Sequence, residues 1–210
     1  MNSYIKGIAI FKDFTKEGKR FVELSRGLNI ITGHSKTGKS AILDIIDWCL
    51  GSEESTIPRG IITDFAQCYA LILDIKETSL LIARREGEEG KNSIHVRTIS
   101  NTQSIENITY TDIHDDAFFN KKHAFSIINN VINGITSPQL KLNREPQLTI
   151  RDSLCFIFQH QDVIDSKTKL FYREPKKTYF PVLAGWYDNN YYLISSQIKQ
   201  LYNSFKKQTE

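Results

Sequence analysis

The sequence predicts an α/β fold, and three observations carry that prediction. An apolar run, LNIIT at 28–32, feeds a glycine-rich loop, GHSKTGKS at 33–40. The loop opens onto AILDIIDWCL at 41–50, where apolar residues at 42, 45, 46 and 49, with 43 and 50 beside them, recur at helical spacing. Beyond it the apolar period changes to two, in CYALILDI (68–75), SLLIARRE (79–86) and SIHVRTI (93–99). A strand, a loop and a helix followed by an antiparallel meander is the expected frame.

The remaining elements follow in order. YIKGIAIF (4–11) reads as a first strand, 21–24 as a second and LNIIT as a third. GSEESTIPRG (51–60) is a loop by composition, broken by Pro58 and Gly60. The meander has short polar connections, KET and GEEGKN. Residues 100–124 are polar and give no clear element. AFSIINNVINGI (124–135) predicts a short helix halted near Gly134 and Pro138, and TIRDSLCFIFQHQ (149–161) another, with Asp152 near its start. Near the end, Tyr187, Tyr191, Ile194, Ile198, Leu201 and Phe205 are spaced 4, 3, 4, 3 and 4 apart, a heptad seam of fewer than three heptads. An amphipathic helix lying on a globular core would show the same spacing. The pattern is still running at the last residue, which points to a partner helix from further protein or another chain.

Composition sets the broad class. A chain of 210 residues, 40% hydrophobic and 24% charged, has the make-up of a soluble globular protein with a sizeable core. The net charge of +3 argues neither for nor against nucleic acid. Residues 166–210 carry a surplus of five positive charges, which composition reads first as a solvated surface and second as a phosphate-contacting end. Cys49, Cys68 and Cys155 are far apart and sit in apolar runs, as buried free thiols of a reducing compartment would. The N-terminus lacks a continuous apolar run, so neither a signal peptide nor a membrane anchor is expected, and the cytoplasm is the expected location.

Residues 33–40 match G-x-x-x-x-G-K-[ST] in full, with a strand expected before and a helix after. Gly33 and Gly38 let the backbone turn its amides inward as an anion nest, and the helix adds its positive N-terminal end. Lys39 is suited to β- and γ-phosphates, and the Ser40 hydroxyl to Mg²⁺. His34, Ser35, Lys36 and Thr37 form the lip, and Ala41 begins the helix. Lys36 is read as a surface lysine, with γ-phosphate contact as the alternative. ATP and Mg²⁺ are the implied ligands.

Hydrolysis also needs an acid on the metal and a group that polarises water. ALILDI (70–75) imitates the strand that ends in such an acid. Asp74, however, falls inside the meander next to a hairpin turn, and no glutamate follows it. No other apolar run ends in Asp-Glu, and no LSGGQ-like segment occurs.

LNIITGHSKTGKSAILDIIDWCLGS (28–52) resembles the head-domain start of coiled-coil ATPases of the SMC, SbcC and RecF/RecN type, members of the ABC ATPase superfamily. The order of elements is similar too, from a first strand ending in KDF (12–14) to the meander. The resemblance implies a P-loop NTPase lobe of the ABC type over residues 1–185. Within it lie the phosphate loop at 33–40, a mixed sheet with an antiparallel meander at 66–99, and a Q-loop region at 149–164. Residues 186–210 would then start a coiled-coil helix. FIFQHQDVI (156–164) resembles the Q-loop, with Gln161 contacting Mg²⁺ and the attacking water and Gln159 as second choice. Lys12, Asp13 or Phe14 would lie near the adenine. In the family the Walker B Asp-Glu and the signature lie in a C-terminal lobe beyond the coiled coil, and the signature acts across a dimer of heads. That would account for the acid not found here. His34-Ser35-Lys36-Thr37 departs from the family's G-x-N-G-x-G-K-[ST]. With IDWCLGS (46–52) the loop resembles a bacterial branch found in multi-gene defence loci, the SMC-like subunit of Lamassu-like anti-phage systems. The implied partners are the C-terminal lobe of the same ATPase in a homodimer of heads, DNA through the complete complex, and kleisin-like or effector subunits. No membrane is implied.

Other clusters read more plainly. His114, Asp115, Asp116 and His123 match no common metal-ligand spacing. Of Arg84 and Arg85, strand alternation turns one inward towards a carboxylate and leaves the other on the surface, where DNA or phosphate contact is the alternative. Trp48 and Trp186 read as core or interface aromatics rather than base-stacking platforms. Three functions compete. The first is an ATP-binding lobe of an SMC-like, DNA-associated ATPase in repair or anti-phage defence, inactive alone. The second is a self-contained P-loop kinase or GTPase, which lacks its second acid and its N/T-K-x-D motif. The third is a non-catalytic, nucleotide-dependent interaction module.

Overall fold

A computed structural model describes residues 3–13, 15, 17–35, 37–75, 78–133, 194, 197–198 and 200–205. The chain divides into two compact units, Met1–Val131 and Ile132–Glu210. In the first, six strands form one sheet in the order β2-β1-β3-β4-β5-β6: β1 (Ser3–Phe11), β2 (Lys19–Glu23), β3 (Cys68–Ile75), β4 (Thr78–Arg85), β5 (Ser93–Ile99) and β6 (Phe118–Asn120). The meander and the two N-terminal strands stand where the sequence put them. Every described pairing is antiparallel.

The central strands β3 and β4 are buried at nearly every position because both sheet faces are covered. Alternation assigns the faces. Ala9 and Phe11 of β1, Cys68, Ala70 and Ile72 of β3, and Leu81 and Ala83 of β4 join one core with Ile105, Ile108 and Ile113. Those isoleucines come from the polar stretch 100–124, which folds as three short 3₁₀ turns before β6. Its apolar residues are too sparse to show a period, which is why no element was legible there. Lys19 of β2 ties the first turn down: its ammonium donates to the carbonyls of Ile105, Glu106 and Ile108 at 2.6–2.7 Å. Burial draws the lysine's pKa below its usual value.

The other face takes helix α1 (Ala41–Cys49), packed on β3 and β4 through Ile45, Trp48 and Cys49. The helix ends in a Schellman motif. Ser52 N–H donates to Asp47 O at 3.1 Å and Gly51 N–H to Trp48 O at 2.9 Å, with Gly51 at φ 96°. Two short helices, α2 (Ile61–Phe65) and α3 (Gly87–Asn92), and the longer α4 (Lys121–Asn133) complete the described elements of known range. α3 replaces the open connection expected at GEEGKN. Glu88 pairs with Lys91 within it, and Arg85 reaches back to Glu89, so the short segment has local reasons to coil.

The expected strand at 28–32 is not formed. These residues carry no strand pairing, and Leu28, Ile30 and Ile31 are 88%, 76% and 43% exposed. A strand needs a neighbour, and none of the described strands lies beside this one. Among the described strands the sheet is antiparallel, and the mixed pairing expected from a strand at 28–32 is not seen there. The Asn29 amide instead closes a turn, accepting from Ser25 N–H and donating to Ser25 O. In the second unit, residues 200–205 are helical, and Ile194, Ile198, Leu201 and Phe205 of the heptad seam are exposed. Tyr187, Tyr191, the helix at 149–161, Cys155 and Trp186 lie outside the described residues. Cys49 and Cys68 are buried free thiols, and burial raises both pKa values, that of Cys68 to about 12.

Two measurements test this packing. Ile72→Ala opens a cavity in the doubly covered strand and should cost about 2–5 kcal/mol in urea unfolding. His95, buried on β5, has its pKa pulled down to about 4, chiefly by burial and further by the Arg97 guanidinium. Between pH 6.5 and 4 the unfolded chain binds a proton there that the folded chain refuses, so stability should fall as pH falls through that window. His95→Gln should flatten the corresponding part of a pH series of melting temperatures.

Candidate functional site

The phosphate loop is built on the N-terminal end of α1. Gly38 has φ 81°, a left-handed conformation that suits glycine, and sits beside α2: a Cβ there would stand 3.5 Å from Ile62 Cδ1. Lys39 folds back over the loop. Its ammonium donates to Gly33 O at 3.0 Å, His34 O at 2.5 Å and Thr37 Oγ1 at 3.2 Å, and Thr37 Oγ1 donates to His34 O at 2.8 Å. Ser40 occupies the N-cap position of α1 and its hydroxyl makes no capping bond. Ala41 is buried at the first helical position. The loop itself is largely exposed. An ammonium in the centre of a loop, a hydroxyl at a helix N-terminus and a left-handed glycine form a donor set that fits a magnesium–polyphosphate ligand.

Asp13 lies elsewhere on the same side of α2. The turn between β1 and β2, together with Phe65, lines a shallow cleft of about 330 Å³ whose walls include Lys12, Asp13, Thr15 and Arg20. The Asp13 carboxylate accepts from the Thr15 hydroxyl and the Thr15 N–H, and those bonds hold its pKa below the usual value. The Arg20 guanidinium lies 5.2 Å over the Phe65 ring. Ile62 touches the loop and Phe65 lines the cleft, so one turn of α2, roughly 4.5 Å of helix, spans from one to the other. Sequence reading missed Arg20, Ile62 and Phe65. The one local signal was Gly60 before IITDF, where Gly60 N–H donates to Thr63 Oγ1 and caps α2.

Lys36, Phe14, Gln159 and Gln161 lie outside the described residues. Asp74 falls at the β3–β4 hairpin, where it pairs with Ser79 in register and accepts from its hydroxyl at 2.8 Å. His114, Asp115, Asp116 and His123 do not converge: among the described residues no group of three or more potential metal ligands forms. Asp115 pairs with Arg85, and the His123 ring packs on Phe119. Arg84 is the inward member of its pair, and among the described residues it donates to the main-chain carbonyls Trp48 O, Ser52 O, Gly90 O and Lys91 O, at 2.5–3.0 Å. Trp48 is a core aromatic, 1% exposed, with its indole N–H on Arg85 O. Among the described residues no helix is long and apolar enough to cross a membrane.

The structure sets a complete phosphate-loop motif at the start of α1, against an antiparallel sheet. The chain belongs to the AAA domain family, whose model matches residues 4–210. It is similar to the DNA repair protein RecN of Aquifex aeolicus (strain VF5), 32% identical over 75 residues. That stretch is 36% of this chain and 13% of RecN's length, so the chain matches a small part of its relative.

A nucleotide test of the loop follows from Gly38. In Gly38→Ala the exposed loop relaxes in the free chain and regains the left-handed turn on binding at a cost of about 1–2 kcal/mol. ATP affinity should fall about 5- to 30-fold in a titration, with the melting temperature nearly unchanged.

Proposed function

We propose that this chain is the ATP-binding N-terminal lobe of an SMC-like, DNA-associated ATPase, whose hydrolysis requires a C-terminal lobe and whose heads dimerise on ATP. The observation that carries the reading is a complete phosphate loop whose preceding strand segment, 28–32, lies unpaired with its apolar side chains in solvent. A nucleotide site next to an apolar segment that no described strand pairs fits half of a composite ATPase. Gly33, His34, Ser35, Lys36, Thr37, Gly38, Ser40 and Ala41 would cradle the phosphates, and Lys39 would neutralise β- and γ-oxygens. Ser40 and Gln161 would hold Mg²⁺, Gln161 would orient the attacking water, and the cleft at Asp13 would lie near the base. ATP with its metal supplies the phosphoryl chemistry when bound; the chain's own residues bind, orient and neutralise.

The name of the RecN relative supports DNA repair as the setting, and an anti-phage role as the SMC-like subunit of a Lamassu-like system is the alternative setting. Residues 186–210 would begin the coiled coil, which supports association with the C-terminal head lobe, DNA and kleisin-like or effector subunits in the cytoplasm. The test measures ATP binding and turnover by this chain alone, by Lys39→Ala, and by the chain mixed with the C-terminal head lobe of the same ATPase. Weak binding lost in Lys39→Ala, negligible turnover alone and restored turnover in the mixture are expected. Turnover by the chain alone that Lys39→Ala abolishes would overturn the split site. Binding with continued silence in the mixture would instead leave a non-catalytic interaction module.

A further inference from the structure

We propose that Arg84 is a positioning residue of the nucleotide site, acting through helix α1; the inference rests on the nucleotide reading above. Arg84 stands on β4, on the sheet face that carries α1, and is 0% exposed. Its guanidinium lies 3.5 Å from the Trp48 ring centroid, against the last turn of the helix that carries Lys39 and Ser40 at its other end. One terminal nitrogen donates to both Trp48 O at 2.8 Å and Ser52 O at 2.7 Å, the carbonyls where the helix finishes. The remaining donors take Gly90 O at 2.5 Å and Lys91 O at 3.0 Å, which belong to the last turn of α3. A second cation, Lys121 of α4, also donates to Ser52 O, at 3.3 Å.

The geometry has a direction. α1 is nine residues long, about 13 Å, and a helix of that length moves as a rod. Its C-terminal end is fixed to β4 and α3 by a planar fork whose donors have fixed relative angles. Its N-terminal end projects into the exposed loop 33–40, where the described contacts are those of the loop to itself and to Ile62. The fork therefore sets the tilt and advance of the rod, and with them where Lys39 and Ser40 meet phosphate and metal. A site loosened by about 1 Å loses up to a hundredfold in function.

The test compares three variants. Arg84→Lys keeps the cation and loses the fork. Lys121→Met removes the outer tie and leaves the fork intact. Ile72→Ala weakens the same sheet from its other face. Binding of a fluorescent ATP analogue is titrated far below each melting transition, with far-ultraviolet circular dichroism to show that the sheet is retained. Arg84→Lys should bind roughly tenfold more weakly than the wild type, while Ile72→Ala binds normally and Lys121→Met falls between. Equal affinities in wild type and Arg84→Lys overturn the proposal and leave the nucleotide reading standing. Equal losses in Arg84→Lys and Ile72→Ala reduce Arg84 to a stabilising residue and also overturn it. Failure of the wild type to bind removes the nucleotide reading itself, and the proposal with it.

Discussion

The burial of one guanidinium organises the part of this molecule that carries the phosphate loop. A charge taken out of water costs several kcal/mol unless its donors are met, and Arg84 meets that cost with carbonyls. It draws on two places where a fold has carbonyls to spare, the ends of α1 and α3, whose last four C=O groups have no partner inside the helix. The negative ends of both helices thus face the cation. One side chain then joins β4, α1 and α3, and the Trp48 ring closes over it. Gly51 makes the arrangement possible at the α1 end. Its positive φ bends the chain back so that Ser52 O arrives beside Trp48 O, and a Cβ at Gly51 would strike the Phe125 ring.

How much of this was legible depends on whether a residue's role is local. The loop 33–40 and α1 were readable because both rest on spacing within a dozen residues. The meander was readable because its apolar, β-prone runs are short and are separated by brief polar connections. Arg84 pointed inward as alternation required. Its partners were not legible, because carbonyl acceptors carry no residue-type signature and were assembled from two separated segments, 48–52 and 90–91. Phe65 and Arg20 lie 45 positions apart, so nothing in the order of residues joins them; only the fold of β2 and α2 brings the guanidinium over the ring.

LNIIT is the opposite case, a segment whose local signal is sound and whose structure is absent. β-propensity describes how well a stretch fits a pleated, half-buried surface, so it is conditional on a neighbour. Leu28 and Ile30 have that fitness and no described strand beside them, and Asn29 fills the gap by closing a turn on its own backbone. The mismatch is informative. Among the described residues, the segment's exposed apolar side chains have no packing partner of the kind a pleated sheet would supply.

The same logic applies to Lys39. An ammonium has three donors, and here all three find neutral acceptors inside the loop: two carbonyls and a hydroxyl. These bonds hold the loop's turn around its own cation. They are also weaker than bonds to a phosphate oxygen, because a neutral carbonyl or hydroxyl lacks the net negative charge that adds an ion–ion attraction to the ammonium. A polyphosphate can therefore take Lys39 from the carbonyls without first breaking an ion pair, which a carboxylate in their place would have required. The chain thus holds its lysine in order with partners it can give up. At 28–32 it holds a strand's worth of backbone with no partner in the sheet. Both features describe a site organised to be finished by what binds to it.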